Sequence, residues 1–206
     1  MFTRLAVAFV TLLLLAGCST TSVEQLAPSP APTPTGGTRV GPEIGTQSAS
    51  LQPVRAPMPP VRVQVGAVGV DVSVEPVGIE TDGTMQLPPN VAIAGWYQYG
   101  SDPQSATGTT VISAHVDSLE YGLGPFSQLK NLTGGEIVTV TTADGATRDY
   151  AVESVQSILK SNLPIDDVFD RDGAPRLALI TCGGQFDYDS LHYSDNIVVI
   201  AVPVTS

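Results

Sequence analysis

From Val61 onward the chain alternates: "VRVQVGAVGVDVSVEPVG" sets apolar residues at every second position over much of its length. A strand turns successive side chains to opposite faces, so this pattern predicts half-buried strands. "DG" occurs at Asp82-Gly83 and Asp144-Gly145, each between strand-like runs, and each predicts a tight turn. The second makes "EIVTVTTADGATRDYAVESVQSI" one long hairpin. "LALIT" and "NIVVIAVPV" are β-branched runs of a length suited to buried core strands. Helical periodicity is scarce, with short candidates around Phe126 to Asn131 and Asp166 to Phe169. The expectation is an all-β domain, a closed barrel, with one or two short helices and no internal repeat.

The amino terminus has another texture. In "MFTRLAVAFVTLLLLAGCSTTS", Arg4 is the one charge before an apolar stretch from Leu5 to Leu15. That stretch is shorter than the roughly 20 residues of a bilayer span. A charged start, a short apolar core and small residues before a cleavage point read as a secretory signal. "LAGC" resembles the lipobox of bacterial lipoproteins, in which the cysteine is acylated and becomes the first residue. Residues 1–18 are therefore expected to be a lipoprotein signal, with Cys18 as the lipidation site. The expected location is outside the cell, lipid-anchored to the outer face of the bacterial membrane. Residues 19–60, rich in Pro, Ser, Thr and Gly, hold too few apolar side chains to offset the entropy of ordering. They read as a spacer, leaving residues 61–206 as one domain with a sizeable core.

The 206 residues carry a net charge of −11, and the part after Val61 is more acidic still, because Arg4, Arg39 and Arg55 precede it. Nucleic acid is excluded as a partner on this account: a phosphate backbone needs a basic patch. An electrostatic grip on anionic lipid is disfavoured for the same reason. "DDVFDRDG", with Asp166, Asp167, Asp170 and Asp172, lacks the ligand spacing and closing Glu of a calcium loop, so no metal is expected. No cofactor is expected either.

Two cysteines are present, and an acylated Cys18 has no thiol to pair, which leaves Cys182 alone in an exported domain. A lone cysteine reads either as a small buried hydrophobe or as a nucleophile, and a nucleophile needs a base or cation beside it. There are two histidines, His115 and His192. His115 in "ISAH" and Cys182 in "LITC" each stand at the end of a buried run, and two such strands can meet side by side in a barrel.

"VISAHVDS" followed by "GPFSQLKNLTGGEIVTV", and "LALITCGGQFD" followed by "YSDNIVVIAV", resemble a sortase. With "GVDVSVEPVG", "DGTMQLP" and "AGWYQYG" in order, the resemblance narrows to the actinobacterial class F and covers about Val61 to Val204. It implies an eight-stranded β-barrel and a thiol transpeptidase, with His115 as catalytic histidine and Cys182 as nucleophile. It further implies cleavage of an LPXTG-like sorting signal between Thr and Gly, and acyl transfer to an amine of a peptidoglycan precursor or another protein. Thr181 and the Gly183-Gly184 backbone are candidate oxyanion donors.

The chain departs from the family in one respect. Sortases carry an arginine on the strand after the cysteine, and this chain has no Arg or Lys after Cys182. His192, Ser194 and Asn196 stand where it would fall, in "LHYSDNIVV". Arg176 lies six residues before Cys182, about 20 Å away along a strand. The departure keeps an alternative open: a degenerate sortase-like barrel that binds a peptide or partner without turnover. An L,D-transpeptidase is disfavoured by the absence of an "SHGC"-type segment. A papain-like protease is disfavoured because its Cys precedes its His.

Overall fold

The structure is a computed structural model and describes residues 55–204. The expected signal, Cys18 and residues 19–54 of the expected spacer lie outside that range.

The described residues form ten strands: β1 (Pro60–Val65), β2 (Val70–Val77), β3 (Ile93–Tyr97), β4 (Thr109–Ser113), β5 (Asp117–Ser118), β6 (Gly122–Leu123), β7 (Ile137–Thr142), β8 (Thr147–Leu159), β9 (Arg176–Asp187) and β10 (His192–Pro203). Eight of them close a barrel in the order β1-β2-β3-β4-β9-β10-β8-β7, while β5 and β6 form a small hairpin beside it. The seams β2–β3 and β4–β9 are parallel and the others antiparallel. Among the described residues, helix is confined to the turn α1 (Ile165–Val168) and to 3-10 segments, the longest being Pro125–Asn131. Both sit at the expected positions. The closed eight-stranded barrel with short helices is the fold that the strand pattern and the family resemblance implied.

Alternation decides what is buried. On β2, Val70, Val72 and Val74 point inward and are at most 5% exposed, while the residues between them face solvent. The same inner face takes Val63, Val65, Trp96, Ile112, Leu177, Leu179, Ile197 and Val199. A second cluster lies on the outer face, where Val111, Ala178, Ile180 and Val198 are covered by Val168 of α1 and by Leu163 and Phe169. Thus β4, β9 and β10 are buried on both faces, which is why "LALIT" reads as a continuous apolar run rather than an alternating one.

Both "DG" pairs are three-residue hairpin loops rather than two-residue ones. Gly145 donates to Thr142 O (2.8 Å) and Thr142 donates to Ala146 O (2.9 Å), with Gly145 at φ 83°. Gly83 donates to Glu80 O (3.0 Å), Glu80 donates to Thr84 O (2.7 Å), and Gly83 has φ 89°. A left-handed residue after a type I turn is the usual form of such a loop, and glycine adopts it without steric cost.

The folded unit begins ahead of Val61. Pro60 opens β1, Ala143 donates to Pro59 O (2.9 Å), and Arg55 pairs at 2.6 Å with Asp102, whose side chain is 4% exposed. Residues 55–60, counted with the spacer from composition, are therefore ordered against the barrel. In the acidic run, Asp170 accepts from the backbone N–H groups of Asp172 and Gly173, and Asp167 pairs with Arg176 at 3.1 Å.

Candidate active site

The parallel seam β4–β9 sets the geometry. Its last paired residues are Ser113 and Ile180. Ser113 Oγ donates to Ile180 O (2.9 Å), Ala114 N donates to the same oxygen (3.1 Å), and Thr181 Oγ1 donates to Ala114 O (2.8 Å). His115 and Cys182 each follow two residues beyond that pair. Every second residue of a strand returns to the same face, so Ser113 shares a face with Val111, and Cys182 with Ala178 and Ile180. That is the outer face, where the second apolar cluster lies.

Cys182 does not end its strand. β9 continues to Asp187, but its burial changes at the thiol: Leu177 to Thr181 are buried, Cys182 is half-buried and Gly184 is exposed. β4 stops at Ser113, so His115 stands in the loop just after it, half-buried as well. Both side chains thus sit where a core seam opens to solvent. Both line a cavity of about 260 Å³, together with Asp117, Phe186, His192 and Tyr193.

Cys182 also lines a second, apolar groove of about 500 Å³, walled by Met85, Tyr97, Leu163, Phe169 and Ile180. The thiol lies at the junction of the two. Tyr193 Oη donates to Asp117 Oδ2 (2.5 Å), which ties the β9–β10 hairpin to the loop that carries His115. The nearby carboxylate disfavours phenolate, and the Tyr193 pKa is raised to about 12.

The two glycines after the thiol have a packing reason. A Cβ on Gly183 would meet Ile197 Cγ1 at 2.7 Å. Gly184 has φ 76°, and a Cβ there would meet Ser194 Oγ at 2.3 Å. It lies at an irregularity where the β9–β10 register shifts between Tyr193 and Asp195.

The structure separates the residues standing in place of the arginine. Asn196 is the register partner of Cys182 and lines the apolar groove with it. His192 pairs with Asp187, five residues beyond Cys182 on β9, and reaches the smaller cavity from its far end. Ser194 Oγ donates to Asp195 Oδ1 (2.6 Å) and accepts from Gln185 N (3.0 Å). Thr181 is 2% exposed and its hydroxyl proton is given to Ala114 O. Arg176 begins β9, opposite Thr109, with its guanidinium on Asp167.

Sequence reading missed Lys160, which lines both cavities. It follows the last residue of β8 and comes 22 positions before Cys182. Linear spacing carries no signal for it, because only the strand order β8-β10-β9 brings it to the thiol.

A family model described as "Sortase domain" matches residues 63–204. The chain is similar in structure to sortase C-1 from Actinomyces oris, at 19% identity over 70% of this chain and 71% of that one, with a TM-score of 0.55. It is also similar to sortase A of Listeria monocytogenes, at 19% identity over 70% of this chain and 86% of that one, with a TM-score of 0.51. A lid mutant of sortase A from Corynebacterium diphtheriae is similar at 20% identity over 75% of each chain, with a TM-score of 0.54. Likeness at these identities concerns the fold. No curated protein matches the chain.

Proposed function

The chain belongs to the sortase family of cysteine transpeptidases, and on that premise we propose that Cys182 is its nucleophile and His115 its acid–base, acting on an LPXTG-like sorting signal. The observation that carries this reading is the β4–β9 register, which sets both residues two positions past a shared pair, on one cavity.

The chemistry is acyl transfer. The Cys182 thiolate attacks the carbonyl carbon between Thr and Gly and forms a C–S bond. The tetrahedral intermediate collapses by breaking the C–N bond, and the His115 imidazolium gives its proton to the departing amine. The thioester is then attacked by an acceptor amine, whose proton returns to His115 as the C–S bond breaks. The apolar groove offers Met85, Tyr97, Phe169 and Ile180 to the apolar part of a sorting peptide. The smaller cavity, on the histidine side, is open to the acceptor amine of a peptidoglycan precursor or another protein. The segments "GVDVSVEPVG", "DGTMQLP" and "AGWYQYG", in that order, support assignment to class F. The "LAGC" segment supports export and lipid anchoring through Cys18 at the outer face of the membrane.

The test is incubation of the full chain with LPXTG-like peptides, read by product release and by the mass of the acyl-enzyme. Cys182→Ala should abolish the adduct and cleavage, and His115→Ala should abolish cleavage, with the melting temperature nearly unchanged in both. A large loss of stability with no loss of activity returns Cys182 to a buried-hydrophobe role. A second reading, a binding barrel without turnover, is favoured by Asn196 standing opposite the thiol where the family has arginine. Absence of any acyl-enzyme from the parent chain decides for it.

A further inference from the structure

Among the described residues, two line both cavities: Cys182 and Lys160. The registers explain why. Asn196 of β10 faces Cys182 on one side and Ile158 of β8 on the other. Ile158 packs on the outer-face cluster, and two residues on, Lys160 opens a 3-10 turn (Lys160–Asn162) just past β8 and lines both cavities. Two strand spacings of roughly 4.8 Å and two residues of roughly 3.3 Å put the Lys160 and Cys182 Cα positions about 12 Å apart. The four-carbon stem of lysine on one side and a thiol on the other leave room there for a substrate oxygen.

The other described cations are committed or distant, Lys130 being exposed on the 3-10 segment Pro125–Asn131 and lining neither cavity. Arg55, Arg62 and Arg176 pair with carboxylates, and Arg148 donates to the carbonyls of Pro103 and Ser105. Arg171 lines the apolar groove, but its backbone packs on Gly108, seven residues before His115 and so roughly 20 Å down the seam. The Lys160 ammonium donates no hydrogen bond and makes no ion pair among the described residues. The chain carries a net charge of −11, and Asp117 lines the His115 cavity. A thiolate and an oxyanion formed in turn at one place need a positive charge that reaches both.

We propose that Lys160 is the cation of this active site, reaching from the neighbouring strand end to the oxyanion of the tetrahedral intermediate and, before it forms, to the Cys182 thiolate. This rests on the reading of Cys182 as nucleophile. A charge absent from β10 is thereby supplied across it, from β8.

The test compares the parent chain with Lys160→Met and Lys160→Arg in single-turnover acylation by a fluorogenic LPXTG-like peptide. Loss of one oxyanion donor is worth about 10²–10³-fold, so Lys160→Met should slow acylation by about 10²-fold with KM little changed. Lys160→Arg should stay within about tenfold of the parent. A second readout needs no substrate: alkylation of Cys182 by anionic iodoacetate and by neutral iodoacetamide, followed by peptide mapping of the full chain. A unit charge about 6 Å away in water-like dielectric favours the anion by about threefold, so the rate ratio should fall by that factor in Lys160→Met and recover in Lys160→Arg. An unchanged ratio overturns the proposal even if acylation slows, because the lysine then acts through structure. A fallen ratio with acylation unchanged overturns it too, because the charge then has no part in the chemistry. If the parent acylates with no peptide, the transpeptidase reading fails, while the alkylation ratio still decides whether Lys160 charges the thiol.

Discussion

Ser113 and Ile180 are partners in a parallel seam, and the hydroxyl of the first donates to the carbonyl of the second at 2.9 Å. A parallel pair advances in the same direction on both strands, so equal steps beyond it stay side by side. His115 and Cys182 are the residues two steps on. The seam is pinned once more by Thr181, whose buried hydroxyl donates to Ala114 O. Side-chain bonds from both strands therefore fix the end of the seam, beyond which His115 and Cys182 line one cavity.

Thr181→Val removes that last bond while keeping the shape. Leaving a buried acceptor short of a donor costs roughly 1–3 kcal/mol. The expected result is a stability loss of about 1–2 kcal/mol in urea melts, with slower acylation. Thr181→Ser, which keeps the hydroxyl, should recover most of both. A Thr181→Val chain as stable as the parent would show that the seam does not depend on this contact.

Asn196 and His192 differ in reach. Asn196 faces the thiol, whereas His192 is opposite Asp187, roughly 16 Å further along β9. Asn196→Ala should lower single-turnover acylation by at least about tenfold, on the donor-loss scale, and His192→Ala by less. Asn196→Arg should keep or raise activity and restore a Lys160→Met chain, since either position brings a cation to the same oxygen. The reverse ranking of the two alanine variants would place the working donor on the hairpin tip.

Gly184 holds a left-handed conformation in which an added Cβ meets Ser194 and Asp195. Backbone strain of this kind costs roughly 1–3 kcal/mol. Gly184→Ala should lower the melting temperature and, by shifting the β9–β10 irregularity beside the thiol, cut acylation as well. Thermal melts and acyl-enzyme mass spectra on the same preparation check both effects.

Tyr193 and Asp117 supply a pH signature. The Asp117 carboxylate, first through the hydrogen bond, raises the Tyr193 pKa to about 12. A raised folded value means that this contribution is fully present below the ordinary tyrosine value of about 10 and is lost as pH rises through about 12. Burial, the largest cause, also raises Tyr150 to about 12. Ultraviolet titration should therefore show two tyrosines ionising near pH 12, and one in Tyr193→Phe. Across neutral pH the link should be insensitive to pH, so an activity change there must come from other groups.

The lipobox resemblance predicts that Cys18→Ser abolishes acylation and releases the chain from the membrane fraction. A mutant held as firmly as the parent would make the apolar stretch from Leu5 to Leu15 an anchor in its own right.

Strands were legible in the sequence because their cause is local. Alternation on Val70, Val72 and Val74, a "DG" turn before Ala146 and the β-branched run from Ile197 to Ile200 each report a periodicity that neighbouring residues share. The pairing of His115 with Cys182 was read from the buried run that precedes each, and the structure sets both on one cavity. What the tertiary structure alone decided is which strand ends lie beside the thiol. Arg176 is six positions from Cys182 yet lies at the far end of the same strand, while Lys160, 22 positions away, shares both of its cavities. The Thr181 hydroxyl, next to the nucleophile in sequence, alternates to the inner face and is bonded to Ala114 O. A strand moves each residue roughly 3.3 Å along the chain but sets its neighbour across the sheet about 4.8 Å away. The pairing order β9-β10-β8, which linear spacing does not encode, is what sets Lys160 on the cavities that Cys182 lines.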